Sequence, residues 1–221
     1  RRASGTINAL NDVAFGNGRF AAVGGNFGIT TSTNGVDWTN QFIASLIPLN
    51  GVTFGNGLFV AVGVNGYVRT SANGTVWSGP SSIASAHLNS VAWGNGTFAA
   101  VGTNGAILTS LNGTAWAPRV SGRTNALAGV TYGNGRFVSV GTGGAVLVST
   151  NGGTNWISGA SGTLANLADV TFGLGQFVAV GPSGTLLTSG DGLVWTSRNS
   201  DSGADLTGVT YGGARFVAVG N

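Results

Sequence analysis

The chain has 221 residues and a mass of 21.9 kDa, with hydrophobic residues at 42% and charged residues at only 7%. That length admits one large all-β domain or two small domains of another class, and the apolar content excludes intrinsic disorder. The net charge of +3 comes from nine arginines set singly apart from Arg1 and Arg2, so no basic stripe exists to track a phosphate backbone, and no apolar run approaches a membrane span.

The chain opens at arginine, with no charged n-region and apolar run ahead of the fold, and reads as a segment of a longer chain. Its first stretch, Arg1 to Thr6 (RRASGT), matches the later SGASGT of Ser158 to Thr163 and reads as the end of a connection. Four short segments follow: strand A over Leu10 to Phe15, strand B over Arg19 to Val23, strand C over Ile29 to Ser32 and strand D over Val36 to Asn40. The unit then repeats. The string LNDVAFGNGRFAAVG at Leu10 returns in variant form at Leu49, Leu88, Leu127, Leu167 and Leu206, a period of about 39 residues. In the first five copies a run ending in serine, a short Asn/Asp-Gly turn and a tryptophan (Trp38, Trp77, Trp116, Trp156, Trp195) come next.

Asn34-Gly35, Asn73-Gly74 and Asn112-Gly113 suit the positive φ angles of primed hairpin turns, so neighbouring segments are expected to pair antiparallel. Helix signals are missing throughout. The predicted fold class is all-β, a single β-propeller domain over residues 1–221 built from four-stranded antiparallel blades, with five complete repeats and a two-strand sixth. A six-bladed ring with an incomplete last blade is preferred, and a five-bladed ring with a displaced terminal hairpin is the alternative. Phe20, Phe59, Phe98, Phe137, Phe177 and Phe216 are expected to be buried at equivalent places.

Between strands C and D the residues Ser149-Thr150-Asn151-Gly152-Gly153-Thr154-Asn155-Trp156 resemble the box Ser-x-Asp-x-Gly-x-x-Trp, with Asn151 for the acid. The other four copies are one residue shorter, and only Asp191 keeps the acid. On these residues the chain resembles the Asp-box (sialidase-type repeat) propellers and the related photosystem II assembly factor blades. The resemblance implies a propeller fold, usually secreted, with the boxes serving as structural turns away from the ligand site, and it implies no single activity. An extracellular or cell-surface setting is expected on that ground.

Chemistry has few residues to work with. Without cysteine there is no disulfide framework, thiol nucleophile or zinc–thiolate site. Sialidase chemistry, as the family implies it, needs a glutamate beside its tyrosine, and the chain has none. Asp12 and Asp169 share one repeat position at the start of strand A; they read either as an acid/base pair or as caps of their own loops. Ser32, Ser71, Ser110, Ser149 and Ser189 recur without a base and read as turn hydrogen-bonding groups, and the tryptophans as plugs between blades.

The A–B and C–D turns are nearly uniform, whereas the D–A connections keep an eleven-residue offset from tryptophan to leucine yet vary widely in sequence. Variation among copies points to the D–A/B–C face as the binding face, with Asn26, Asn65, Asn104, Gly143 and Ser183 at its B–C positions. Candidate ligand-binding residues are Asp12, Tyr67, His87, Arg119, Arg123, Asp169 and Arg198, with no metal and no cofactor expected. The leading expectation is a non-enzymatic recognition propeller for a glycan or protein. The alternatives are an assembly module that self-associates through the Arg215 to Val219 edge, and a weak glycoside-acting enzyme. Neither nucleic-acid binding nor membrane insertion is expected.

Overall fold

The computed structural model describes residues 4–25, 28–41, 47–79 and 81–221. The first sheet is built from β1 (Leu10–Gly16), β2 (Arg19–Gly24), β3 (Ile29–Ser32) and β4 (Thr39–Gln41). The second holds β5 (Leu49–Gly55), β6 (Leu58–Gly63), β7 (Tyr67–Ser71) and β8 (Ser81–Ser82), and the third β9 (Leu88–Gly94), β10 (Thr97–Gly102), β11 (Ile107–Ser110) and β12 (Ala117–Arg119). The fourth holds β13 (Leu127–Gly133), β14 (Arg136–Gly141), β15 (Val146–Ser149) and β16 (Ile157–Ser158), and the fifth β17 (Asp169–Gly173), β18 (Gln176–Val180), β19 (Leu186–Ser189) and β20 (Thr196–Ser197). The sixth has two strands, β21 (Leu206–Gly212) and β22 (Arg215–Gly220). Strands pair in chain order within each sheet, and neighbours run antiparallel.

Two local expectations need correction. The primed hairpins are the A–B turns, where both central residues take positive φ, as at Asn17 (49°) and Gly18 (70°), and even Leu174 (48°) before Gly175. At the C–D turn only the glycine does so, and strand D begins later than Val36. The reason is that Asn34 Oδ1 accepts the N–H groups of Val36 and Asp37 at 2.8 and 2.9 Å, which withholds both amides from the ladder until Thr39. Ser32 Oγ accepts from Gly35 N–H at 2.8 Å, and Trp38 Nε1 donates to the Gly35 carbonyl. Ser71, Ser110, Ser149 and Ser189 close the corresponding turns, so these serines are structural groups, as their recurrence without a base suggests.

The chain divides into two compact units, one of residues 1–100 and 110–116, the other of 101–109 and 117–221. In the first, Ala21, Val23 and Ile29 of sheet 1 pack with Leu49, Val52, Phe59 and Ala61 of sheet 2, and Trp77 closes the cluster. In the second, Val138, Val140, Val146 and Val148 of sheet 4 pack with Leu167, Val170, Phe177 and Trp195, and Val178 and Val180 of sheet 5 with Leu206 and Val209 of sheet 6. Both faces of an inner sheet are thus covered, which accounts for apolar runs without strict alternation.

Neighbouring A strands approach so closely that the last residue of one must lack a side chain. A Cβ on Gly16 would lie 2.0 Å from Cγ of Phe54, one on Gly55 2.0 Å from Trp93, one on Gly133 2.1 Å from Phe172 and one on Gly173 2.2 Å from Tyr211. Each of these four aromatic rings therefore seats on the glycine of the sheet before it. The burial expected at all six strand-B phenylalanines holds for Phe59, Phe98, Phe137 and Phe177, which are fully buried, whereas Phe20 and Phe216 are half-buried. Sheet 1 leaves Val13 and Phe15 exposed, and sheet 6 leaves Val217 and Val219 exposed, because no further sheet covers them among the described residues.

Candidate functional site

The two aspartates act as staples between A strands. Asp12 Oδ1 accepts the N–H of Val13 at 2.7 Å and its Oδ2 that of Val52, on β5, at 2.8 Å. Asp169 repeats the pattern with Val170 (2.8 Å) and Val209 of β21 (2.9 Å). Asn11 and Asn50 add a second stitch, donating from Nδ2 to the carbonyls of Leu49 and Leu88, both at 2.9 Å. Gly129 and Gly208 flank Asp169; a Cβ on Gly129 would sit 3.1 Å from its Oδ1. Both carboxylates are engaged by backbone amides, so an acid/base pair is replaced by two inter-strand ties.

Burial pushes the Asp169 carboxyl up to about 6, against the pull of its two amide hydrogen bonds. The folded chain therefore holds that proton more tightly than the unfolded chain, whose ordinary carboxyl titrates near ~3.9. Stability from this group is present in full below about pH 4 and is lost as pH rises through about 6. Denaturant unfolding between these limits is expected to show the wild type losing up to about 3 kcal/mol relative to Asp169→Asn. Parallel pH profiles for the two proteins would refute the assignment.

His87 belongs to a repeated joint. Its Nδ1 accepts the N–H of Asn65 at 2.9 Å, Asn166 Oδ1 accepts that of Gly143 at 2.9 Å, and Asp205 Oδ1 that of Ser183 at 2.9 Å. All three acceptors immediately precede the first leucine of a strand A, and all three donors lie on the preceding B–C loop. Asn26, at the first B–C position, lies outside the described residues.

A second joint had gone unread in the sequence. Ser82, Ser121, Ser161 and Ser200 each stand five residues after a tryptophan, inside the connections taken as unconstrained. Ser161 Oγ donates to the carbonyl of Gly144 at 2.8 Å, with that of Thr163 at 3.1 Å as the alternative acceptor, and Ser200 Oγ stands in the same way to Gly184 and Ser202. The loop glycine is required here: with φ of 68° and 70°, Gly144 and Gly184 would bring a Cβ within 1.9 and 1.8 Å of the carbonyl oxygens of Thr163 and Ser202. The D–A/B–C side thus carries its own repeated lock, and only the residues around the serine vary freely. Ser4, which donates to the Thr6 carbonyl, repeats the same turn in the opening segment.

The arginines divide by position. Arg119 and Arg198 sit three residues after their tryptophans and donate from Nε to the strand-C hydroxyls of Thr109 (2.8 Å) and Thr188 (2.9 Å), as Gln41 does to Thr31. Arg123 lies two residues after the lock serine and donates to Ser158 Oγ at 3.3 Å, across the outer part of sheet 4. In the next copy that position is Thr163, a shorter side chain, and a groove of about 440 Å³ opens there. Ser161, Thr163, Ser183, Thr185, Trp195 and Arg198 line it. The Arg198 side chain is exposed, so its terminal nitrogens can meet a ligand. Of the sequence candidates, only Arg198 lines this groove.

Tyr67 is half-buried at the start of β7, opposite Ser82. Two residues on, Arg69 is buried where other copies carry Thr30, Leu147 or Leu187; its guanidinium donates to the Ser78 carbonyl at 2.6 Å, and burial lowers its pKa. An arginine in a column otherwise held by threonine and leucine was the signal for it. No cluster of three metal-ligating side chains occurs among the described residues.

The sequence matches no family model and no curated protein. Solved structures do match. YCF48 from Cyanidioschyzon merolae superposes with a TM-score of 0.71 at 19% identity, over 96% of this chain and 77% of that one. The fold is a β-propeller. A second structure, YCF48 bound to D1 peptide, gives a TM-score of 0.65 at 16% identity, over 97% of this chain and 91% of that one. With this likeness the six sheets of the propeller are its blades, the last reduced to two strands.

Proposed function

We propose that this propeller is a non-enzymatic protein-binding module of the assembly type, which holds an acidic peptide segment of its partner on the D–A/B–C side. The groove beside Arg198 carries the reading. It offers one guanidinium with free terminal N–H groups, the hydroxyls of Ser161, Thr163, Ser183 and Thr185, and one buried indole. That set suits a carboxylate placed among backbone amides and carbonyls. The structure of YCF48 bound to D1 peptide, of the same fold, supports a peptide over a sugar. Display outside the cell belongs to the same proposal, as does descent of the C–D turns from the Asp-box, which the closure of Ser189, Asp191, Gly192 and Trp195 supports.

Panning a random peptide display library on the immobilised chain tests it. Acidic sequences are expected to be enriched, and Arg198→Ala is expected to weaken the enriched peptides about tenfold while leaving the unfolding midpoint in place. Enrichment that ignores Arg198, or binding on a glycan array without any peptide selected, would overturn the assignment.

A further inference from the structure

The chain holds a single histidine, and it ties down a loop on the D–A/B–C side. In sheet 2 the B–C loop is the short turn Val64–Gly66, where Asn65 takes φ of 54°, a left-handed conformation uncommon outside glycine and kept only where the surroundings demand it. The bonds of β8 and the connection after it meet that demand. Ser82 Oγ donates to the Asn65 carbonyl at 2.9 Å, Ile83 N–H to the Gly66 carbonyl at 3.0 Å, and Asn65 N–H to His87 Nδ1 at 2.9 Å. Loop and connection lie so close that a Cβ on Gly66 would stand 2.1 Å from the Ala84 carbonyl oxygen.

Of these three bonds only the one to His87 has an acceptor that a proton removes. Nδ1 accepts in the neutral ring, whose hydrogen is then on Nε2, whereas the imidazolium carries hydrogen on both nitrogens and sets donor against donor. The sister joint of sheet 4 makes the same bond at the same length, from Gly143 N–H to Asn166 Oδ1, with an amide oxygen that does not titrate. The elements packed around the His87 joint offer no anion. Among β5, β6, the Val64–Gly66 turn, β8, residues 83–87 and β9 there is no charged side chain besides His87, and β7 brings Tyr67 and the buried cation Arg69. We propose that His87 is a pH-sensitive latch: the neutral ring holds the Val64–Gly66 loop against the following connection, and protonation frees the Asn65 amide and lets the loop leave its left-handed conformation. The latch opens on acidification, whereas the Asp169 carboxyl adds stability on acidification, so the two titrations have opposite signs.

The test is nuclear magnetic resonance of the intact, ¹⁵N-labelled chain, titrated from about pH 8 to about pH 5, the range in which imidazoles change charge. The Asn65 amide proton is expected to move upfield, and the heteronuclear NOE of Asn65 and Gly66 to fall, in step with the ring C–H resonances of His87. The Gly143 amide is expected to stay in place throughout. His87→Asn copies the acceptor of the sister joint and should hold the loop at both ends of the titration, while His87→Ala should leave it loose at both. The dispersion of the remaining amides serves as the folding control, and should His87→Ala fail to fold, His87→Asn decides alone. An Asn65 amide that ignores the His87 titration, or one that responds equally in His87→Asn, would overturn the proposal.

Discussion

Phe98→Ala is expected to lower stability by roughly 3 to 5 kcal/mol, the range for emptying a fully buried aromatic site. Phe98 has no exposed surface, and its ring centroid lies 4.3 Å from that of Trp93 and 6.5 Å from that of Trp116. The glycine of its C–D turn, Gly113, closes the same space, since a Cβ there would already meet Leu58 and Val60 at 2.9 Å. The Trp116 indole donates to the Gly113 carbonyl at 3.0 Å and Ser110 Oγ holds the Gly113 N–H at 2.9 Å, so ring and turn cannot collapse into the void and the cavity persists. Phe216→Ala is the matched control: the same substitution at the same repeat position, on a half-buried ring, should cost less than about 2 kcal/mol. Thermal or denaturant melting of both variants checks the pair. Equal costs would contradict the difference in burial.

Gly133→Ala adds one methyl group and is expected to cost about 3 kcal/mol or more. The new Cβ would stand 2.1 Å from Cγ of Phe172, an atom held next to the backbone of β17 and unable to swing aside as the far end of a long chain would. Either the ring leaves its seat or the two A strands separate. Phe172→Ala in the same chain should recover part of the loss, giving a coupling that a purely local effect on β13 would not produce. Gly212, the same residue in the last copy, has no atom within 4 Å of a built Cβ, and Gly212→Ala should lie within about 0.5 kcal/mol of wild type. Denaturant melts of the three variants decide the matter, and a costly Gly212→Ala would show that backbone effects dominate.

The architecture was legible because the A–B string occurs six times with its leucine, aromatic residue and strand-ending glycine in place, and such a period leaves few folds open. Local detail was less so. Asn-Gly occurs at both kinds of turn, but Asn34 uses its side chain to cap the following amides while Asn17 uses its backbone in the left-handed region, and the dipeptide alone does not tell these apart. The lock serines were hidden by the variety around them, although alignment on the tryptophans brings them into one column. Asp12 and Asp169 shared a visible position, yet their role depends on an amide about 40 residues away in sequence. The groove at Arg198 is a tertiary outcome, lined by a threonine where the preceding copy has Arg123.

The C–D turns also bear on how the protein ages chemically. Spontaneous deamidation of an Asn-Gly pair starts when the glycine nitrogen attacks the side-chain carbonyl carbon of the asparagine. In this fold the nitrogens of Gly35, Gly74 and Gly113 are held by Ser32, Ser71 and Ser110 at 2.8 to 2.9 Å, and the carbonyls of Asn34, Asn73 and Asn112 are aimed at amides further along the chain. Both reacting groups are pinned away from each other while the turn is intact. Asp191 stands where an aspartate product would, accepting the amides of Leu193 and Val194 at 2.8 and 3.1 Å, with its carboxyl held below the usual range by those bonds. A turn converted to aspartate keeps the hydrogen bonds that the side-chain oxygen accepts and gains a negative charge, so the molecule's isoelectric point drifts before its shape does.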